Sequence, residues 1–249
     1  MGKLIKSNYK FLIFLAVFGL IGGYFSAVYS IQGINEELLN EAVAQVGSLE
    51  FLIAITTLQS LSYALIFGIL GKYFATKVGL WRRITFEKEG IIAAIIVSLA
   101  GGVLLIYLDV FLFNNYLVAV AESYITKPTF EYIMAALTYG GVIEEIMMRL
   151  FLMSFVAFII KKINGEDEIS TKNLIISNVI SSILFAAGHL PAMEQMMGLS
   201  SFIIFRCFLL NGGISLLFGR IYRKYGIQYS MLAHVGVHII SKLIWILFL

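Results

Sequence analysis

Two adjacent glutamates and an arginine, Glu144-Glu145-Ile-Met-Met-Arg149, stand inside an otherwise apolar run. At bilayer depth each ionised side chain costs on the order of 2.5–3.5 kcal/mol. Such groups persist by pairing with a partner or by doing chemistry. Helical spacing separates the two roles. Residues four apart share a face, so Glu145 can pair with Arg149. Glu144 is turned about 100° away and is free for another neighbour. All three histidines of the chain, His189, His234 and His238, fall in later apolar segments, and His234 stands one turn from His238.

A carboxylate with imidazoles in a low-dielectric cavity suits the activation of water. The desolvated carboxylate can serve as a general base, and imidazoles can orient the water, bind a metal or donate to a developing oxyanion. A His₂Glu-type set also suits catalytic zinc with one open position. His-Glu-x-x-His does not occur in the sequence, which removes the zincin arrangement. The serines lack a matched acid for a Ser-His-Asp set. Peptide hydrolysis is the reaction these groups suit.

The elements that must position them are membrane helices. Of the 249 residues 60% are hydrophobic and 13% charged, against roughly 25% charged in soluble domains. Seven apolar stretches are long enough to span, at about 11–30, 51–71, 91–113, 131–160, 173–190, 199–219 and 227–249. An eighth, short or re-entrant, is suggested near 116–121. The fold class expected is all-α, a polytopic bundle of seven to eight transmembrane helices. Residues 1–125 supply N-terminal spans and 126–249 the helical core that carries the chemistry.

Charge gives the orientation. With the N-terminus cytoplasmic, 14 of the 18 Lys and Arg fall in inner segments and one, Lys127, in an outer loop. The first segment has the basic start of a signal peptide but a longer apolar run, so it reads as a retained span. The net charge of +3 fits inner loops facing anionic lipid and needs no nucleic-acid partner. The single cysteine, Cys207, excludes an intramolecular disulfide and a Cys-based zinc site. Asp109, near a helix end, is expected at the membrane interface, and Arg206 and Asn211 are expected to satisfy neighbouring helices.

Register supports one pairing. The loop between Lys161 and Lys172 has its midpoint near 166; Glu144 lies about 22 residues before it and His189 about 23 after it. In a hairpin of straight helices the two sit at equal depth. His234 is only ten residues beyond Lys224, about 15 Å of helix, whereas Glu144 is about 25 Å from Lys161. Either the hairpin protrudes or a helix is broken, with Gly140-Gly141 the candidate break.

Three motifs resemble those of the CAAX prenyl protease and bacteriocin-processing (CPBP/Abi) family of intramembrane proteases. Glu144-Glu145-x-x-x-Arg149 resembles its EExxxR and Phe185-Ala-Ala-Gly-His189 its FxxxH. Gly219–Gly226 leading to His234 resembles the approach to its final HxxxN or HxxxD, except that His238 stands where Asn or Asp is usual. The resemblance implies that Glu144 activates the water and His189 helps to position it. It implies that His234 and His238 stabilise the tetrahedral intermediate or bind metal, that Glu145 and Arg149 support the site, and that Phe185 shapes it. Glu144, His189, His234 and His238 could together hold one divalent metal such as Zn²⁺; a metal-free glutamate mechanism is the alternative. The implied substrate is a membrane-associated, lipidated or small precursor peptide.

Two other readings compete: a non-catalytic membrane protein of the same fold that binds a partner in immunity or regulation, and a small proton-coupled transporter. No inverted repeat supports the latter. The chain's brevity suggests a bacterial plasma-membrane protein.

Overall fold

The computed structural model describes residues 2–249, with side chains from Tyr9 onward. Every regular element among them is helical. In chain order these are α1 (Gly2–Gly33), α2 (Glu36–Val46), α3 (Leu49–Lys77), α4 (Lys88–Phe111) and α5 (Val118–Ser123). There follow α6 (130–163), α7 (Thr171–Gly188), α8 (Leu190–Met197), α9 (Ser201–Tyr225) and α10 (Ile227–Phe248). Local chemistry marks their starts. The hydroxyls of Ser48, Thr129, Ser170 and Ser200 accept the backbone N–H three residues on, opening α3, α6, α7 and α9. Gly226, at φ 109°, makes the tight turn between α9 and α10.

Six helices, within α1, α3, α4, α7–α8, α9 and α10, are long and apolar enough to cross a membrane. The protein is therefore an integral membrane protein. A seventh, α6, is about 50 Å long, but any 18-residue stretch of it includes three or more charged residues. It runs through the middle of the bundle against α1, α3, α7 and α10. The segment suggested near 116–121 is α5, only 6 residues, about 9 Å, and too short to span.

Glycine sets how closely the helices approach, as expected where lipid supplies no hydrophobic drive between them. A Cβ on Gly71 of α3 would stand 2.8 Å from the Leu150 carbonyl carbon and the Phe151 nitrogen of α6. Gly141 of α6 lies directly against Val235 of α10. These contacts correct one expectation: α6 is not broken at Gly140-Gly141. Its backbone continues through them in π-helical form over Ala136–Glu144 and Ile146–Met153, and the glycines serve interhelical contact instead.

The depth mismatch is resolved by overshoot. Glu145 and His234 touch, yet 18 residues separate Glu145 from Ile163 and only 7 separate Ile227 from His234. The α6 end near Ile163 therefore extends past the start of α10 by something on the order of 15 Å.

Asp109, near the end of α4, is covered by protein contacts. It is 1% exposed, with its Oδ1 2.7 Å from Arg206 Nε and its Oδ2 2.6 Å from Arg206 Nη2. Tyr124 donates to Oδ2 at 2.8 Å. The physical reason is α5, which folds back with the preceding turn so that Phe113, Val120 and Leu210 cover the end of α4. The N-terminal helices are thereby tied to α9. Removing one partner of a buried ion pair costs about 3–5 kcal/mol, whereas apolar replacement of both can be nearly neutral. Asp109→Ala is expected to destabilise by that amount in denaturant unfolding of the detergent-solubilised protein, and Asp109→Leu/Arg206→Met to recover most of it.

Candidate active site

The carboxylate of Glu145 is the hub of the buried centre. Both Glu145 and Arg149 are 0% exposed, and Arg149 Nε is 3.5 Å from Glu145 Oε2 one helical turn away. On the opposite side Glu145 Oε1 is 3.0 Å from His234 Nδ1, and Ser230 Oγ donates to Oε2. Glu145 thus bridges Arg149 on its own helix and His234 on α10, whereas helical spacing had given it only the arginine.

Arg149 extends the network away from the histidines. Its Nη2 donates to Ser215 Oγ at 2.8 Å. Ser215 donates to Ser182 at 2.9 Å, and Ser182 to Asn178 Oδ1 at 3.4 Å. Asn178 Nδ2 closes the chain on the Leu216 carbonyl at 2.9 Å. The guanidinium also lies 5.2 Å from the Phe185 ring centre and 5.9 Å from that of Phe218, close enough for cation–π attraction. Three helices, α6, α7 and α9, are pinned together by these groups.

The two anchored imidazoles are alike. His189 is the residue that ends α7, and its Nδ1 is 2.8 Å from the Phe185 carbonyl of the preceding turn. A carbonyl only accepts, so Nδ1 carries the proton and Nε2 keeps its lone pair. The same logic applied to His234 and the Glu145 carboxylate leaves its Nε2 free. His234 is held further by stacking, with ring centres 4.4 Å from Phe218 and 4.9 Å from His238. Phe185 meets both His189 and His234 edge to face, at 4.6 and 6.1 Å.

Glu144 is half-buried and lies within electrostatic reach of His189, His234, Glu145 and Arg149. Among the described residues no side chain hydrogen-bonds to it. It is the one carboxylate in the cluster left free to act on a bound molecule. His238 stacks on His234 one turn along α10. Its Nδ1 is buried without a partner, and its Nε2 packs on Gly140, where a Cβ would stand 2.9 Å away.

The structure therefore gathers Glu144, Glu145, Arg149, Phe185, His189 and His234, with His238 behind His234. Sequence reasoning missed Phe218, Ser215 and Ser230. Ser230 had a readable signal, since it lies four residues before His234 on the same face; Phe218 and Ser215 had none.

A metal would need several of these donors to converge. Glu144 and two free Nε2 atoms are the right donor types for zinc. Among the described residues, however, no group of three or more His, Cys, Asp or Glu stands close enough to hold an ion. The side chains as placed do not fit a metal centre.

Helices long and apolar enough to span a membrane thus surround a carboxylate within electrostatic reach of two imidazoles with anchored Nδ1 atoms. Residues 126–240 match the family described as type II CAAX prenyl endopeptidase, Rce1-like, and the chain carries a domain of that family. The match includes every one of the gathered residues. Comparison with curated proteins and with solved structures gave no significant match.

Proposed function

We propose that this protein is an intramembrane endopeptidase whose substrate is a lipidated or otherwise membrane-associated peptide, and that it hydrolyses the peptide bond with water activated by Glu144. The observation that carries the reading is the Glu144 carboxylate, without a side-chain hydrogen bond among the described residues, within electrostatic reach of two imidazoles whose Nδ1 atoms are tied down. Water bound between Glu144 and His189 gives one proton to the carboxylate, and its other O–H is held by the His189 Nε2 lone pair. The water oxygen forms the new bond to the scissile carbonyl carbon. Glu144 then hands its proton to the departing amine nitrogen as the C–N bond breaks.

His234 supports the tetrahedral intermediate by position: the Glu145 carboxylate accepts from its Nδ1–H and fixes the ring beside the attacked carbon, with its Nε2 free. Arg149 and Ser230 hold Glu145 in place for that task. Family membership supports peptide hydrolysis, and the geometry supports a route in which each proton transfer uses the chain's own residues.

His189→Ala is expected to lower cleavage by the purified full-length protein about 100-fold or more, with expression and membrane insertion unchanged. Full activity of that variant removes His189 from the chemistry. Protein free of stoichiometric metal by elemental analysis is expected to remain active, and chelator to have no effect. Loss of activity on chelation with recovery on Zn²⁺ add-back contradicts the route through Glu144 alone.

A further inference from the structure

The most exposed large apolar side chain among the described residues is not on a membrane helix. Phe86 is 92% exposed and Ile84 73%, and both stand on the strap that joins α3 to α4, residues 81–87. Tyr229, 2% exposed, donates to the Thr85 carbonyl at 2.6 Å and accepts from the Glu87 N–H. Those two backbone groups point to one side, as they do in an extended chain, where side chains two apart also share a side. Ile84 and Phe86 therefore form one apolar prong.

The strap is held at a definite depth. Gly90, in the first turn of α4, packs on the Tyr229 ring, where a Cβ would stand 2.8 Å away. Arg82 Nη2 donates to the Arg223 carbonyl at 3.4 Å, in the last turn of α9. The apolar spans of α4, α9 and α10 have their limits at Lys88, Tyr225 and Ile227, so the strap lies along a boundary that three helices share. Its backbone cannot sink further, because hydrocarbon offers no partner to free N–H and C=O groups. Its side chains can.

Charge gathers at the same boundary. Residues 82–89 and 220–224 contain six cations against two carboxylates, Glu87 and Glu89. None of Arg82, Arg83, Lys88, Arg220, Arg223 and Lys224 takes part in the ion pairs found among the described residues. The acidic turn 166–168 does not cover them. It follows the α6 end that runs past the start of α10, and its Glu166 is engaged with Ser170 and Asn173.

Prong and cations together select the ligand. A stable protein contact needs about 1,000 Å² of complementary surface, far more than two side chains present. An anionic phospholipid carries phosphate at the depth of the cations and acyl chains at the depth of the prong. We propose that the strap and the adjoining end of α9 bind an anionic phospholipid, with Ile84 and Phe86 among its acyl chains and Arg82, Arg83 and Lys88 on its phosphate. The site is separate from Glu144, and it stands whether or not the protein cuts peptides.

The test counts bound lipid by native mass spectrometry. Phosphatidylglycerol and phosphatidylcholine of the same acyl chains are titrated onto the full-length protein in a neutral detergent. For the first lipid bound, phosphatidylglycerol is expected to be preferred about tenfold. Arg82→Gln/Arg83→Gln/Lys88→Gln should abolish that preference, and Arg82→Lys/Arg83→Lys should keep it. Lys162→Gln/Lys172→Gln, which removes cations beside the α6–α7 turn, should leave it unchanged. All these side chains are exposed, and thermal unfolding without lipid should not move in any variant.

A second measurement reads insertion. A nitrobenzoxadiazole label is attached to Phe86→Cys in a Cys207→Ser background, which removes the single native cysteine, and the protein is placed in phosphatidylglycerol nanodiscs. Quenching by nitroxide on the upper acyl chain is expected, with protection from aqueous dithionite. Equal affinity for the two lipids overturns the proposal, as does a preference that survives the triple change or is lost equally in the Lys162/Lys172 pair. A label open to dithionite and untouched by the nitroxide also overturns it, and leaves the strap facing water for a soluble partner instead.

Discussion

Glu144→Gln is expected to reduce peptide cleavage by about 10²–10⁴-fold, the usual contribution of a positioned general base, while unfolding at the same temperature as wild type. The amide keeps the shape of the side chain and loses only its ability to take a proton. Among the described residues Glu144 has no hydrogen-bonded partner to disappoint, so the fold loses little. Glu145→Gln is the informative contrast. It weakens the contacts to Arg149, His234 and Ser230 together, and so lowers stability and activity at once. Steady-state kcat/KM with a fluorogenic membrane peptide, paired with thermal unfolding in the same detergent, separates the two. Equal loss of stability in both variants contradicts the division of roles between the glutamates.

Arg149→Met is the variant with the largest expected effect on stability. Arg149 is 0% exposed, and its removal strands the Glu145 charge and the Ser215–Ser182–Asn178 chain. Breaking a buried pair from one side costs about 3–5 kcal/mol, a large part of the 5–15 kcal/mol typical of whole domains. Lysine should not rescue it. A compact ammonium cannot reach Glu145 and Ser215 together or lie flat between the Phe185 and Phe218 rings. The double variant Glu145→Gln/Arg149→Met should recover part of the loss, because no unpaired charge then remains buried. Denaturant titration of the four proteins in one micelle gives the coupling directly; additive single effects contradict the bridge.

What the sequence made legible was what short-range geometry controls. The Glu145–Arg149 pair followed from a four-residue spacing. That Glu144 and His189 come within electrostatic reach of each other agrees with a hairpin whose short loop fixes the register of its arms. Six of the seven to eight expected spans followed from composition and length. Contacts that depend on the rotation and tilt of distant helices could not be read. His234 reaches Glu145 across 89 residues and Arg206 reaches Asp109 across 97, and nothing local to either residue names its partner.

The burial of Asp109 was hidden for that reason: its position near a helix end does not announce the fold-back of α5 that covers it. Gly140-Gly141 was misread because glycine signals a break and a close helix contact equally well. The π-helical stretch of α6 left no trace in the apolar pattern. Such widened turns recur at functional sites, and here one ends on Glu144 and the next begins just after Glu145.

The central claim is that Glu144 hydrolyses peptide bonds within the membrane, and comparative peptidomics tests it most directly. Membranes carrying the wild-type protein and its Glu144→Ala variant, expressed to equal level in a strain lacking the gene, are compared for peptide termini. The account predicts a discrete set of membrane-associated peptides that are cut in the first and remain uncut in the second. Indistinguishable peptidomes, with both proteins inserted and folded, contradict it.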